Sequence, residues 1–304
     1  MLLILMNLNN PYKYFLVILA ALSLLSCGRE SVIPEKSQFA VTIYPLASIM
    51  REIAGDSASV STVIPPGTSM HVFSPRPSDI ENLEKSAGIV YVAENLEGWI
   101  AHSNSVKKFR AFDFVPDSSV IHSVDEHNHG HSDGTGIDPH FWTDPLLVKK
   151  LVPKLTKWMI EQNPEDSLKY LKNSSVLIEK LDSLHIEFRD KFSSFRGKSV
   201  MLYHPSFLYF FKRYGLKYAG SVEESPGKEP SFRHLAELRK KIKKLNLKIV
   251  YAEPQLPDRT IRVLSEGLDI LVLYLDPIGG GDPGRNDYFK LMRFNAKNLL
   301  KSLR

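Results

Sequence analysis

The sequence predicts an α/β fold of two (β/α) halves with parallel-type sheets, joined by one long helix. Three observations carry that expectation. Short apolar runs alternate with helix-like segments at the spacing of βαβ units. Residues 166–195 contain neither Gly nor Pro. His or Asp stands just past several of the apolar runs, where parallel sheets place their ligands.

In the first half, residues 39–44 (FAVTIY), 60–64 and 88–93 (GIVYVA) read as strands. Between the last two a helix opens at Ser78, with Glu81 three residues on in a capping-box pattern. Residues 145–162 read as a helix kinked or restarted at Pro153. The run 166–195 has apolar positions at Leu168, Leu171, Val176, Leu177, Leu181, Leu184, Ile186 and Phe192. Helical throughout, it would extend about 45 Å and join the two halves. The alternative is two helices broken near Asn173 and Ser174. Gly197 restarts the rhythm, with strands at 199–203, 217–222, 248–252 and 270–275. Helices are expected between them at 207–213, 231–245 and 258–266, and a last one at 288–303.

The amino-terminal run 15–25 (FLVILAALSLL) is apolar but too short for a stable membrane span. It leads into Leu25-Ser26-Cys27, which looks like a lipobox with Cys27 as the lipidated residue; an ordinary signal peptide with an incidental cysteine is the alternative. Residues 1–27 are therefore expected to be a signal peptide, and 28–38 a polar tether. Residues 39–165 form the first lobe, 166–195 the linking helix and 196–304 the second lobe. A lipid anchor would hold the protein on the outer side of a bacterial membrane.

Cys27 is the only cysteine, which excludes an intrachain disulfide. The net charge of +5 is spread over helical faces, with no basic patch interleaved with aromatics, so no nucleic-acid partner is expected.

Four residues carry the chemistry. His71 lies in a loop bounded by Pro65-Pro66 and Pro75. His140 stands between two Asp-Pro turns, where Asp138 or Asp144 could orient its ring. His204 and Asp276 each end an apolar run. Three imidazoles and one carboxylate complete a tetrahedral shell for a borderline-soft cation. Glu253 follows the strand at 248–252 and reads either as an acceptor for the His204 imidazole or as a cap for the next helix. Residues 122–137 add His122, His127, His129 and His131, a polar stretch suited to loose capture of a second cation or to a solvated loop. Residues 279–281 (GGG) read as a flexible turn, and Trp142, Tyr203 and Phe207 as walls around the site.

Several motifs together resemble one family. They are Gly67-Thr68-Ser69-Met70-His71, Asp138-Pro139-His140-Phe141-Trp142, Tyr203-His204-Pro205-Ser206-Phe207, Pro226-Gly227-Lys228-Glu229-Pro230-Ser231, Tyr251-Ala252-Glu253-Pro254-Gln255 and Leu275-Asp276-Pro277-Ile278-Gly279. In this order they resemble the metal-binding lipoproteins of ABC importers for zinc and manganese, the cluster A-I solute-binding proteins. The resemblance implies a metal held in the cleft between two lobes, with His71 and His140 from the first and His204 and Asp276 from the second. It implies a permease and its ATPase as partners, and a monomer that catalyses nothing. The third histidine favours Zn2+ over Mn2+ or iron as cargo, because manganese prefers more oxygen donors. A zinc hydrolase with Glu253 as base is the rival class; four protein ligands would leave it no place for a reactive water. An adhesin is a further role that this resemblance sometimes accompanies, and no residue demonstrates it.

Overall fold

Every strand pairing in the two sheets is parallel, and both sheets follow one order. The computed structural model describes residues 37–104, 107–122, 136–223, 229–257 and 259–303. Strands β1 (Ser37–Val41), β2 (Ala58–Thr62), β3 (Gly88–Tyr91) and β4 (Lys108–Arg110) lie in the order β2-β1-β3-β4. Strands β5 (Ser199–Leu202), β6 (Lys217–Ser221), β7 (Ile249–Ala252) and β8 (Leu271–Tyr274) repeat it as β6-β5-β7-β8. The chain leaves each central strand to one side and then crosses to the other. A switch point therefore opens beyond the carboxyl ends of β1 and β3, and again beyond β5 and β7.

The helices are α1 (Tyr44–Ala54), α2 (Pro77–Glu84), α3 (Pro145–Gln162), α4 (Ser167–Phe192), α5 (Leu208–Tyr214), α6 (Phe232–Lys244), α7 (Arg259–Ser265) and α8 (Tyr288–Leu303). Among the described residues no helix is long and apolar enough to cross a membrane.

Helix α4 runs unbroken through Asn173 and Ser174. Its buried side chains include Leu177, Leu181, Leu184, Phe188 and Phe192, spaced three or four apart on one face. Leu168, Leu171, Val176 and Ile186 fall off that face and are exposed. The helix is tied to both lobes. Asn173 donates to the Ile53 carbonyl at 3.1 Å and Lys180 pairs with Glu52 at 2.6 Å, both on α1. Toward its other end Glu187 pairs with Arg293 of α8 at 2.9 Å.

Period-two alternation in the strands sorts the cores. Phe39, Val41, Val90, Val200, Leu202, Ile249 and Tyr251 enter one cluster that also takes in α3, α4 and α8. Their neighbours Ala40, Ile89 and Tyr91 face a small outer core of the first lobe, and Met201, Tyr203, Val250 and Ala252 one of the second. The lobes thus share a continuous apolar interior, which restricts any tilt between them.

Several local expectations change. Residues 45–54, for which the sequence pattern assigns no element, form α1 with Pro45 in its first turn, and β1 ends at Val41. Helix α2 is not opened by Ser78 and Glu81. Pro77 takes the first helical position, and the Asp79 carboxylate accepts from the Arg76 amide at 2.8 Å. Helix α3 does not restart at Pro153, which lies on its exposed side, where water can satisfy the carbonyl that proline leaves unpaired. Strand β4, three residues long, is too short to show as a periodic run.

Candidate metal centre

The loops that follow the strands bring three histidines to one point. His71 comes from the loop after β2, His140 from the turn before α3, and His204 from the end of β5. One ring nitrogen from each lies within 4.8 Å of the other two. The Nε2 atoms of His71 and His140 are 3.2 Å apart. Two nitrogens bound at 2.0–2.1 Å to a tetrahedral ion would stand roughly 3.3 Å apart, so the spacing suits a shared cation. The rings are tilted by 52°, 74° and 70° to one another, with centroids 5.2, 4.7 and 4.9 Å apart, and so aim edges rather than faces at the common point.

Each deeper histidine is backed by a carboxylate. The Nδ1 of His140 lies 2.6 Å from Asp138 Oδ1, which also accepts from the His140 amide at 2.9 Å. That contact holds the proton on Nδ1 and leaves Nε2 as a donor of its lone pair. The second oxygen, Oδ2, is buried and finds no donor among the described residues. Tyr209 of α5, in the second lobe, donates to the Asp138 carbonyl at 2.9 Å and fixes the turn from behind. Asp144 is engaged elsewhere. It caps α3 through the Leu146 amide at 2.9 Å and pairs with Arg213 at 2.8 Å.

On the other side, the Nδ1 of His204 lies 3.2 Å from Glu253 Oε1, and the same oxygen accepts from the Ser206 hydroxyl at 2.5 Å. Glu253 follows β7 and His204 follows β5, so the pair flanks the switch point of the second sheet. The first sheet has a counterpart: buried Glu97 accepts from Thr42 beyond β1 at 2.5 Å and from the Val92 and Ala93 amides beyond β3.

Burial, followed by the neighbouring imidazoles of His204 and His140, holds the His71 pKa well below its ordinary value. The ring is therefore neutral at physiological pH and its lone pair is available to a cation.

Asp276 stands outside the group of three. It lies two residues past β8, fully buried, and both of its oxygens serve this chain's own donors. Oδ1 accepts from Gln255 at 2.7 Å and from the Ile278 and Gly279 amides at 3.1 and 2.9 Å. Oδ2 accepts from Arg285 at 2.7 Å. The Asn295 amide side chain clamps the Asp276 backbone through two bonds of 2.7 Å. Sequence patterning alone does not find Arg285, Gln255 or Asn295. Gln255 closes one of the motifs singled out above; nothing in the spacing of Arg285 or Asn295 marks them.

Of the remaining expected residues, His122 pairs with Ile137 in an isolated antiparallel bridge. His127, His129, His131 and Cys27 lie outside the described residues. The three glycines after Ile278 are not a loose turn. Gly279 and Gly280 have φ of +71° and +92°, and a Cβ on Gly280 would meet the Tyr44 ring at 2.8 Å. Trp142 does stand over the site, its ring 5.2 Å from that of His140. Tyr203 turns into the second-lobe core instead and donates to Glu223 at 2.7 Å.

Known proteins resemble this chain in sequence and in fold. The chain is 29% identical over 309 residues to the high-affinity zinc uptake system protein ZnuA of Bacillus subtilis, covering 95% of this chain and 97% of that one. It is 27% identical over 293 residues to the zinc-binding lipoprotein AdcA of Streptococcus pneumoniae, covering 92% of this chain. The match spans only 58% of that longer relative. Among solved structures, one described as ZnuA superposes with a TM-score of 0.78 at 21% identity, over 89% of this chain and 100% of that chain, which shows the shared fold. A family model described as zinc-uptake complex component A, periplasmic, matches residues 40–302. That match begins within β1 and ends in the last turn of α8, takes in both lobes and the cleft between them, and makes the chain a member of this ZnuA family.

Proposed function

We propose that this chain captures Zn2+ on the outer side of a bacterial membrane and delivers it to a permease powered by a partner ATPase. One observation carries the reading: three imidazole nitrogens drawn from both lobes lie within 4.8 Å of one another. Two of those rings are backed by buried carboxylates at 2.6 and 3.2 Å, the arrangement that fixes the tautomer of a metal-binding histidine. His71, His140 and His204 are the nitrogen ligands, and Asp276 supplies an oxygen as the fourth. A donor set this rich in imidazole ranks zinc above manganese and iron. The names of the two sequence relatives, zinc-binding lipoprotein and zinc uptake protein, support the same cargo.

Because the ligands come from both lobes, capture and lobe docking are one event. Zinc therefore favours a conformation that a permease can tell from the uncharged one. A lipid on Cys27 would keep the carrier beside its permease, and His122, His127, His129 and His131 would hold a second zinc weakly. The test is competitive loading: chelator-treated full chain is mixed with equal Zn2+, Mn2+ and Fe2+, desalted and read by elemental analysis. One equivalent of zinc retained by the wild type and lost in His140→Ala supports the reading. Preferential retention of manganese, or no metal, refutes it.

A further inference from the structure

Arg285 occupies an oxygen of the one carboxylate that the proposed site draws from β8. Its Nη1 lies 2.7 Å from Asp276 Oδ2; the carboxylate is buried and the arginine side chain half-buried. The other oxygen, Oδ1, is committed to Gln255 and to two backbone amides of the turn 276–279. Among the described residues Oδ2 accepts from one side chain only, so a cation that takes Asp276 as a ligand meets the positive charge of Arg285 there. The guanidinium has two further neighbours. Asp282 Oδ2 lies 3.8 Å from Nη2, and the Phe294 ring centroid lies 4.9 Å from the guanidinium carbon.

The backbone of Arg285 belongs to the segment that docks the second lobe on the first. Its carbonyl accepts from the Gly280 amide at 3.0 Å, and the neighbouring Asn286 carbonyl accepts from Tyr44 at 2.6 Å. Two residues on, the Tyr288 amide donates to Ser48 at 2.8 Å. The guanidinium thus stands on a loop that is tied to the opposite lobe through Asn286 and Tyr288.

We infer that Arg285 is a built-in competitor for the cargo: its guanidinium neutralises Asp276 and must be displaced before that carboxylate can bind a cation. This sets how much free metal is needed to load the protein. The displacement is subtracted from the binding of any divalent ion that uses Asp276, so Arg285 raises the loading threshold without choosing among metals. It also gives the site a means of release, since the arginine is positioned to retake the carboxylate as the ion leaves.

The inference rests on the zinc site proposed above, and one experiment separates the two. Full chain purified in detergent and freed of metal is titrated with Zn2+ against a chromophoric chelator, as wild type, Arg285→Ala, Asp276→Ala and the double variant. Arg285→Ala is expected to bind zinc about tenfold or more tightly, as loss of a competing close charge implies. In chelator the same variant is expected to melt at lower temperature, because Asp276 loses its counter-ion. In the Asp276→Ala background the arginine change should leave zinc affinity unmoved. Arg285→Lys, which keeps the charge with a shorter reach, provides the reading if alanine prevents folding, and should fall between wild type and Arg285→Ala. If the wild type fails to bind zinc, the parent reading fails. If the wild type binds and Arg285→Ala binds no tighter, or its gain persists without Asp276, only this inference fails.

Discussion

The indole nitrogen of Trp142 donates a hydrogen bond to the Pro277 carbonyl at 2.8 Å. It joins the turn that carries His140 to the residue after Asp276, so the two halves of the proposed site are linked by one buried bond. Tyr288 closes the connection by donating to the Trp142 carbonyl at 2.8 Å. Trp142→Phe keeps most of the ring and leaves the Pro277 carbonyl unpaired. The expected cost is about 1–3 kcal/mol of stability, together with weaker zinc binding because Asp276 is no longer positioned from the first lobe. Thermal melts with and without zinc check both. A variant as stable as the wild type would show that the bond does not hold the lobes together.

Asp138 and Asp144 flank His140 in sequence, two residues before it and four after, and have separate duties in the fold. Asp138→Asn is expected to weaken zinc binding about 10- to 100-fold while leaving the fold stable, because the His140 tautomer is no longer fixed. Asp144→Asn should do the reverse. It loses the charge paired with Arg213 and part of the cap on α3, lowering stability by about 1 kcal/mol with little change in affinity. Chelator competition and denaturant melts on both variants give the comparison, and matched losses in the two would remove the distinction.

The same pair shows what sequence could and could not convey. His71, His140 and His204 share the property of lying in loops or just past strands, and parallel sheets send such positions to one edge. Their gathering therefore follows from topology that the apolar runs already display. The choice between Asp138 and Asp144 depends instead on a turn that points one carboxylate at the ring and the other at a helix end. The role of Arg285 does not show in the sequence for a similar reason. Its reach to Asp276 requires the chain to reverse through Gly279 and Gly280, whose positive φ no local pattern specifies. Helix α1 does not show in the sequence pattern because β1 stops three residues sooner than its apolar run, leaving Pro45 free to start a helix.

Glu97 makes stability depend on pH. Burial outweighs the bonds from Thr42, Ala93 and Val92 and raises its pKa from 4.5 to about 7. The folded protein therefore holds this proton more tightly than the unfolded chain does. The resulting stability is fully present below pH 4.5 and is lost as pH rises through about 7. The integrated effect is roughly 3 kcal/mol. Glu97→Gln removes that ionisation, so its melting temperature should change less than the wild type's between about pH 5 and 8. Parallel pH profiles for the two proteins would contradict the assignment.

Gly280 lies where the second lobe meets Tyr44. A Cβ there would come within 2.8 Å of two ring carbons, and its φ of +92° is a conformation that side chains rarely adopt. Gly280→Ala therefore faces two separate costs. Backbone strain accounts for about 1–3 kcal/mol, and the clash adds to it unless Tyr44 yields. If the ring moves, its hydroxyl leaves the Asn286 carbonyl and the docking of the 279–286 loop weakens. The two costs can be told apart by a double-mutant cycle. Tyr44→Ala removes the obstructing ring, so Gly280→Ala should cost less in that background than in the wild type, and what remains measures the backbone alone. Strict additivity would mean that the ring never confined the glycine. Because Tyr44 belongs to the first lobe and Gly280 to the second, the coupling should also appear in zinc affinity, falling in Gly280→Ala.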